Sequence, residues 1–286
     1  MQYRNPFLTI LAIALLCGST FSCTKSYNPP SPASPLPPVI TVQLITNANL
    51  GSILTDSAGK TLYFFSMDAS GSSACTGGCL TVWPVFYTTH LTLGTGLDTA
   101  DFSTISRSDG TKQTAYKGWP LYYFQNDSKA GDVNGEAIEN IWFVAKPDYT
   151  VMLANVQLVG NDGVSYDSTY KAGTGKAQYL TDDRGATLYS FTFDKFNTNN
   201  YTKSDFSNDS FWPIYQVGTK LVAPSIITKS LLITINVFGK TQLVFNGWPI
   251  YHFGPDGGQR GSTKGVSVPT PGVWPVVNQH SAVAPQ

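Results

Sequence analysis

The chain has 286 residues, 18 of them basic and 18 acidic, so it is long enough for one large domain or two ordinary ones and carries no net charge. With charged residues at only 13%, nothing electrostatic points to nucleic acid or to an anionic lipid surface as a partner. Aromatic residues at 13%, with 26 glycines and 18 prolines, favour strands joined by tight turns.

The N-terminus reads as an export signal over residues 1–22. Arg4 supplies positive charge, and the apolar run FLTILAIALL, residues 7–16, is too short to cross a bilayer as a helix. STFSC ends at Cys23 and has the form of a lipobox: small Ser22 precedes the cysteine, although Thr20 and Phe21 depart from the preferred residues. Cys23 is the expected lipidation site; Cys17 fits worse, because bulky Leu16 precedes it. Residues 23–39 form a proline-rich linker whose segment KSYNPPSPASPLPP holds six prolines. Such a segment builds no core and favours extended polyproline II, at about 3.1 Å per residue. The expected place is the bacterial cell envelope, anchored by lipid in the outer membrane.

The rest of the chain is a repeat. Tyr-x-Phe-x-x-Asp occurs four times: Tyr63, Phe65 and Asp68; Tyr122, Phe124 and Asp127; Tyr189, Phe191 and Asp194; Tyr251, Phe253 and Asp256. Copies one and three share L-T-D-x-x-G-x-T-L-Y-x-F-x-x-D, and copies two and four share Q-x-x-[YF]-x-G-W-P-[LI]-Y-x-F-x-x-D. The order is therefore A-B-A-B, with spacings of 126 (189 − 63) and 129 (251 − 122). VQL also recurs near both module starts, at Val42 and Val156. Two domains are predicted, 40–150 and 151–286, each expected to fold alone.

In the A units, Asp56 and Asp182 are placed to bond turn amides between two strands. In the B units, Lys117-Gly118 and Asn246-Gly247 mark turns, and Pro120 and Pro249 open the next strand. Strand alternation puts Tyr63 and Phe65 on a core face. The intervening residues, Phe64, Tyr123, Ser190 and His252, include two polar ones, so that face is expected to be partly wet. All six tryptophans recur at matching places: Trp83, Trp119 and Trp142 in one module, Trp212, Trp248 and Trp274 in the other. They would serve either as ligand-stacking platforms or as core packing, and strict repetition favours packing.

Cys75 and Cys79, in CTGGC, are expected to form a structural disulfide in an exported chain, with Gly77 and Gly78 easing the tight ring. No third soft ligand lies close in sequence, so redox or metal handling by this pair is the secondary reading. The repeated aspartates invite a calcium reading, strongest in DSKAGDVNGE, where Asp127, Asp132, Asn134 and Glu136 are oxygen ligands. Copy four lacks the second carboxylate, which favours an aspartate that accepts loop amide bonds. No G-x-S-x-G, H-E-x-x-H or phosphate loop is present. No catalytic residue, metal or cofactor is assigned, and a glycan hydrolase is the weakest reading.

These signatures resemble a bacterial family described as secreted repeats of unknown function, lipoproteins with a Y-x-[FWY]-x-x-D motif. The resemblance implies an exported, often lipid-anchored protein, with no established activity, and smaller relatives that hold one A-B pair. The second module departs from the pattern. Counted back from Trp212, Ser204 and Asn208 stand where Cys75 and Cys79 stand before Trp83, and its loop from Asp to Trp is three residues longer (18 against 15). The reading is all-β: two tandem sandwich- or barrel-like domains of two hairpin units each, with a single four-bladed propeller as the alternative. The expected role is non-enzymatic binding or display of an unidentified protein or glycan in the envelope.

Overall fold

Alternating, turn-rich sequence produces short strands separated by turns and single 3-10 turns. The computed structural model describes residues 41–286, so the predicted signal peptide, Cys23 and the linker lie outside the described residues. The first module contains β1 (Val42–Asn47), β2 (Gly51–Asp56), β3 (Tyr63–Phe65), β4 (Phe102–Ser106), β5 (Lys112–Tyr116), β6 (Trp119–Pro120) and β7 (Trp142–Val144). The second contains β8 (Met152–Val159), β9 (Ser165–Tyr166), β10 (Lys176–Thr181), β11 (Tyr189–Ser190), β12 (Leu232–Val237), β13 (Lys240–Phe245) and β14 (Trp248–Tyr251). One helical turn, α1 (Cys79–Val82), closes the cysteine loop.

The fold is all-β, and its sheets stay small and open. They neither close into a barrel nor form the four blades of a propeller. Instead each module weaves its A and B units together. Tyr63 pairs with Val144 on one side and with Tyr122 on the other; Tyr189 pairs with Val276 and Tyr251 in the same way. The motif strands of A and B are thus direct neighbours. The B hairpins follow: β4–β5–β6 in one module, β12–β13–β14 in the other.

Turn chemistry sets these registers as expected. Asp56 Oδ1 accepts from the Ala58 and Lys60 amides at 2.9 Å, and Asp182 Oδ1 from Arg184 and Ala186 at 2.9 and 2.8 Å. In the B turns both central residues have positive φ, 47° and 79° at Lys117 and Gly118, 50° and 86° at Asn246 and Gly247. That is the two-residue turn whose twist matches a hairpin. The VQL recurrence does not mark equivalent positions. Val42 faces Asp56, whereas Val156 faces Ala177 midway along a longer hairpin.

The two modules share packing. Phe64, Ala69, Trp119 and Phe143 of the first join the hydrophobic core of the second. The face expected to be partly wet divides between the units: in the A units Phe64 packs against Trp119, Phe143 and Tyr149 at ring distances of 5.2, 5.6 and 6.0 Å and Ser190 is buried as well, while in the B units Tyr123 and His252 stay half-buried. Polar links reinforce the junction. Lys117 Nζ meets Asp183 at 2.7 Å, Gln178 Nε2 donates to Asn140 O at 2.7 Å, and Arg184 pairs with Asp101 at 2.6 Å. Arg260 donates to Lys117 O at 2.8 Å and also to Arg184 O, with its guanidinium 4.4 Å over the Trp119 ring. A Cβ on Gly118 or Gly185 would meet that guanidinium at 2.7 or 2.9 Å, so both glycines leave it room.

Candidate functional site

Because the motif strands of A and B lie side by side, each motif tyrosine reaches the aspartate of the other unit. Tyr63 donates to Asp127 Oδ2 at 2.7 Å and Tyr122 to Asp68 Oδ2 at 2.6 Å. The second module repeats the crossing: Tyr189 donates to Asp256 Oδ2 at 2.6 Å and Tyr251 to Asp194 Oδ2 at 2.7 Å. The other carboxylate oxygen accepts a loop amide in every case, from Ala74 at 2.6 Å, Asn134 at 3.0 Å, Asn200 at 2.7 Å and Lys264 at 3.0 Å. All four aspartates are buried, the burial a carboxylate tolerates when its oxygens are bonded. Burial pushes Asp68 and Asp194 up to about 7 and raises Asp127, while the tyrosines are raised above their usual range.

The same crossing closes the strand ends. Gly135 and Gly265 donate to the Tyr63 and Tyr189 hydroxyls at 3.2 and 3.3 Å. Most oxygens of the calcium candidate have partners: Asp132 Oδ2 accepts from the Ser128 and Lys129 amides and Glu136 Oε2 from Val144 at 2.7 Å, while the buried Glu136 Oε1 has none. Among the described residues no group of three or more His, Cys, Asp or Glu gathers as metal ligands.

The tryptophans and motif phenylalanines form a four-ring stack in each module. Its order is Phe65, Trp142, Trp83, Phe124, with centroids 4.0, 3.8 and 4.5 Å apart; in the second module it is Phe191, Trp274, Trp212, Phe253 at 4.3, 3.7 and 4.4 Å. These four tryptophans and Trp119 are buried, so their faces meet protein rings or Arg260 rather than a ligand. Trp248 is half-buried, and its indole donates to Ala282 O at 2.7 Å.

Cys75 and Cys79 form the expected disulfide, with Cα atoms 5.4 Å apart. Gly77 has φ of 57°, whereas Gly78 sits in ordinary helical geometry, so only one glycine supplies the unusual backbone angle. Arg107, which the sequence did not single out, holds this loop from a buried position. It donates to Cys75 O at 2.7 Å, and to Ser73 Oγ and Gln113 Oε1 at 2.6 Å. Without the bridge, the second module uses other means. Asn208 accepts from the Lys203 amide at 3.0 Å and donates to Tyr201 O at 2.7 Å. Counted from the motif aspartate, Tyr201 rather than Ser204 stands where Cys75 stands (201 − 194 = 75 − 68), and its ring packs edge-on to Trp274 at 4.8 Å. The three extra residues therefore fall after Tyr201.

One repeated contact has changed chemistry between modules. Tyr123 donates to Asp56 Oδ2 at 2.9 Å, and in the second module His252 Nε2 lies 3.8 Å from Asp182 Oδ2. The pair lines a cleft of about 270 Å³ that also contains Asp256 and Thr187. Burial lowers His252 and raises Asp182, which disfavours the charged pair.

A family model described as a secreted repeat of unknown function matches residues 44–87 and again residues 103–146. No curated protein and no solved structure matches the chain. The two matched segments coincide with the A and B units of the first module, the units whose motif residues cross.

Proposed function

We propose that the protein is a lipid-anchored component of the bacterial outer membrane whose body binds or displays a ligand without chemical turnover. The observation that carries this reading is the internal use of the repeated side chains. Four Tyr–Asp pairs and two aromatic stacks satisfy one another inside the modules. An enzyme needs reactive groups aimed at a substrate, whereas these are aimed at each other. What remains available to a partner is the surface and the clefts between units. The secreted-repeat match and the Cys23 signature support an exported location.

The test is to screen the purified protein against immobilised glycans and envelope proteins, beside chromogenic glycoside, ester and peptide substrates. Saturable capture with no turnover supports the reading. Turnover that disappears in a His252→Ala variant overturns it.

A further inference from the structure

Where the modules meet, three separated segments enclose a cleft of about 450 Å³. The β1–β2 turn contributes Asn49 to Ser52, the connector contributes Lys146 and Asp148, and the stretch from Lys220 to Lys229 closes the far side. The lining carries three lysines, Lys146, Lys220 and Lys229, against one carboxylate, Asp148. Lys220 is paired with Asp148 and is largely exposed. Lys146 is different. It is 9% exposed, and its only close partner among the described residues is the Tyr149 ring, 5.3 Å from Nζ. Glu136 and Asp148 attract it from beyond ion-pair contact, while Lys220 and Lys229 repel it and burial lowers it. Its stem is packed away while its ammonium, still open to solvent, has no hydrogen-bond acceptor among the described residues, so an anion entering the cleft would complete it.

We propose that this cleft is an anion site in which Lys146, Lys220 and Lys229 receive the phosphomonoester of a small amphipathic ligand. The inference names a ligand class for the binding reading above and rests on it. The charge count decides the class. Three lysines less one aspartate leave two positive charges, which a phosphomonoester at about −1.5 to −2 matches and a monoanion does not. Lysine supplies point charges without a fixed fork, which suits a phosphate that turns freely. Leu221, Val222, Ala223, Pro224 and Ile227 give the opposite wall an apolar surface, where the body of the ligand would lie. A soluble phosphate ester and a phosphate-bearing lipid present the same head group.

The experiment is calorimetric titration of the full chain with phenyl phosphate, with inorganic phosphate, with phenyl glucoside as the neutral control, and with vesicles containing phosphatidate. The expected result is one-to-one saturable binding of phenyl phosphate, weaker binding of inorganic phosphate and none of the glucoside. Lys146→Met and Lys229→Gln should each weaken phenyl phosphate about tenfold or more. Without ligand, Lys146→Met should melt higher than the wild type, because a partly desolvated, unpaired charge has gone; at equal phenyl phosphate the wild type should shift upward further than either variant. If Lys146→Met does not fold, exposed Lys229→Gln carries the test. Vesicle binding without phenyl phosphate binding would assign the site to lipid; the reverse would assign it to a soluble ester. Absence of saturable binding in every arm, or binding unchanged in both variants, overturns the site. Release of phenol would refute the non-enzymatic reading instead.

Discussion

Replacing Tyr251 by Phe removes one hydroxyl and leaves the ring in place. In the native protein that hydroxyl donates to Asp194 Oδ2 at 2.7 Å, and the Asn200 amide serves the other oxygen at 2.7 Å. The loss depends on what Asp194 carries. A hydrogen bond between neutral groups contributes about 0.5–1.5 kcal/mol and one to a charged group about 1.5–3 kcal/mol. Burial puts Asp194 up to about 7, so it is protonated at pH 5 and ionised at pH 9. The variant should therefore lose about 1 kcal/mol at pH 5 and about 2–3 kcal/mol at pH 9. Linkage gives the same sign. A carboxyl raised in the folded state lends stability at acid pH that is lost as pH rises from its ordinary value to about 7. Without the tyrosine donor, which holds it down, the folded value rises further and the loss continues to higher pH. Urea unfolding of both proteins at pH 5 and pH 9 measures the difference. An equal loss at the two values, or a larger one at pH 5, would refute the crossed-pair account.

Gly265→Ala should cost about 1–3 kcal/mol by overpacking, since the new methyl would meet Tyr189 at 2.7 Å and Trp212 at 2.8 Å; thermal unfolding reads it, and an unchanged midpoint would contradict the packing. The Cys75→Ser, Cys79→Ser double variant should still fold, its melting point lowered by several degrees, because so short a ring contributes only about 2 kcal/mol and Arg107 still holds the loop. Two rapidly alkylated thiols in wild-type protein isolated without reductant would oppose a structural role. A fragment of residues 40–150 would expose Phe64, Trp119 and Phe143; it should melt below the full chain and bind a hydrophobic dye, and a cooperative melt at the full-chain temperature would show the modules to be independent. Cys23→Ala should release the protein from membranes, and a variant that still sediments with them after a carbonate wash would exclude the lipid anchor.

Much of the architecture was legible because it rests on local chemistry. Asp56, Asp182 and the Lys-Gly and Asn-Gly turns act within a few residues, and their effects repeat twice over. The core role of Tyr63 and Phe65 follows from strand alternation alone. What escaped was set by topology. No pattern says that Tyr63 meets Asp127 rather than Asp68, since the partners are 64 residues apart and are joined only by strand order. The intervening positions were read as one partly wet face because Ser190 and His252 are polar; Tyr123 and His252 are half-buried, but Phe64 is covered by module contact, which the repeat does not encode. Alignment from the tryptophan side put Ser204 opposite Cys75, and only the loop geometry shows where the insertion falls. The lysine cleft draws on three distant segments and leaves no local mark.

The crossed tyrosine–aspartate pairs also fix an arithmetic of growth. A unit standing alone would hold a phenol without its carboxylate and a carboxylate answered only by its own loop amide, so an even number of units leaves every pair closed. An isolated A unit would have to seek a second copy of itself, and the A-B module amounts to such a dimer written into one chain. Lengthening the protein by a single unit would strand one pair, whereas lengthening it by two would not. The four copies of the motif in this chain close as two such pairs.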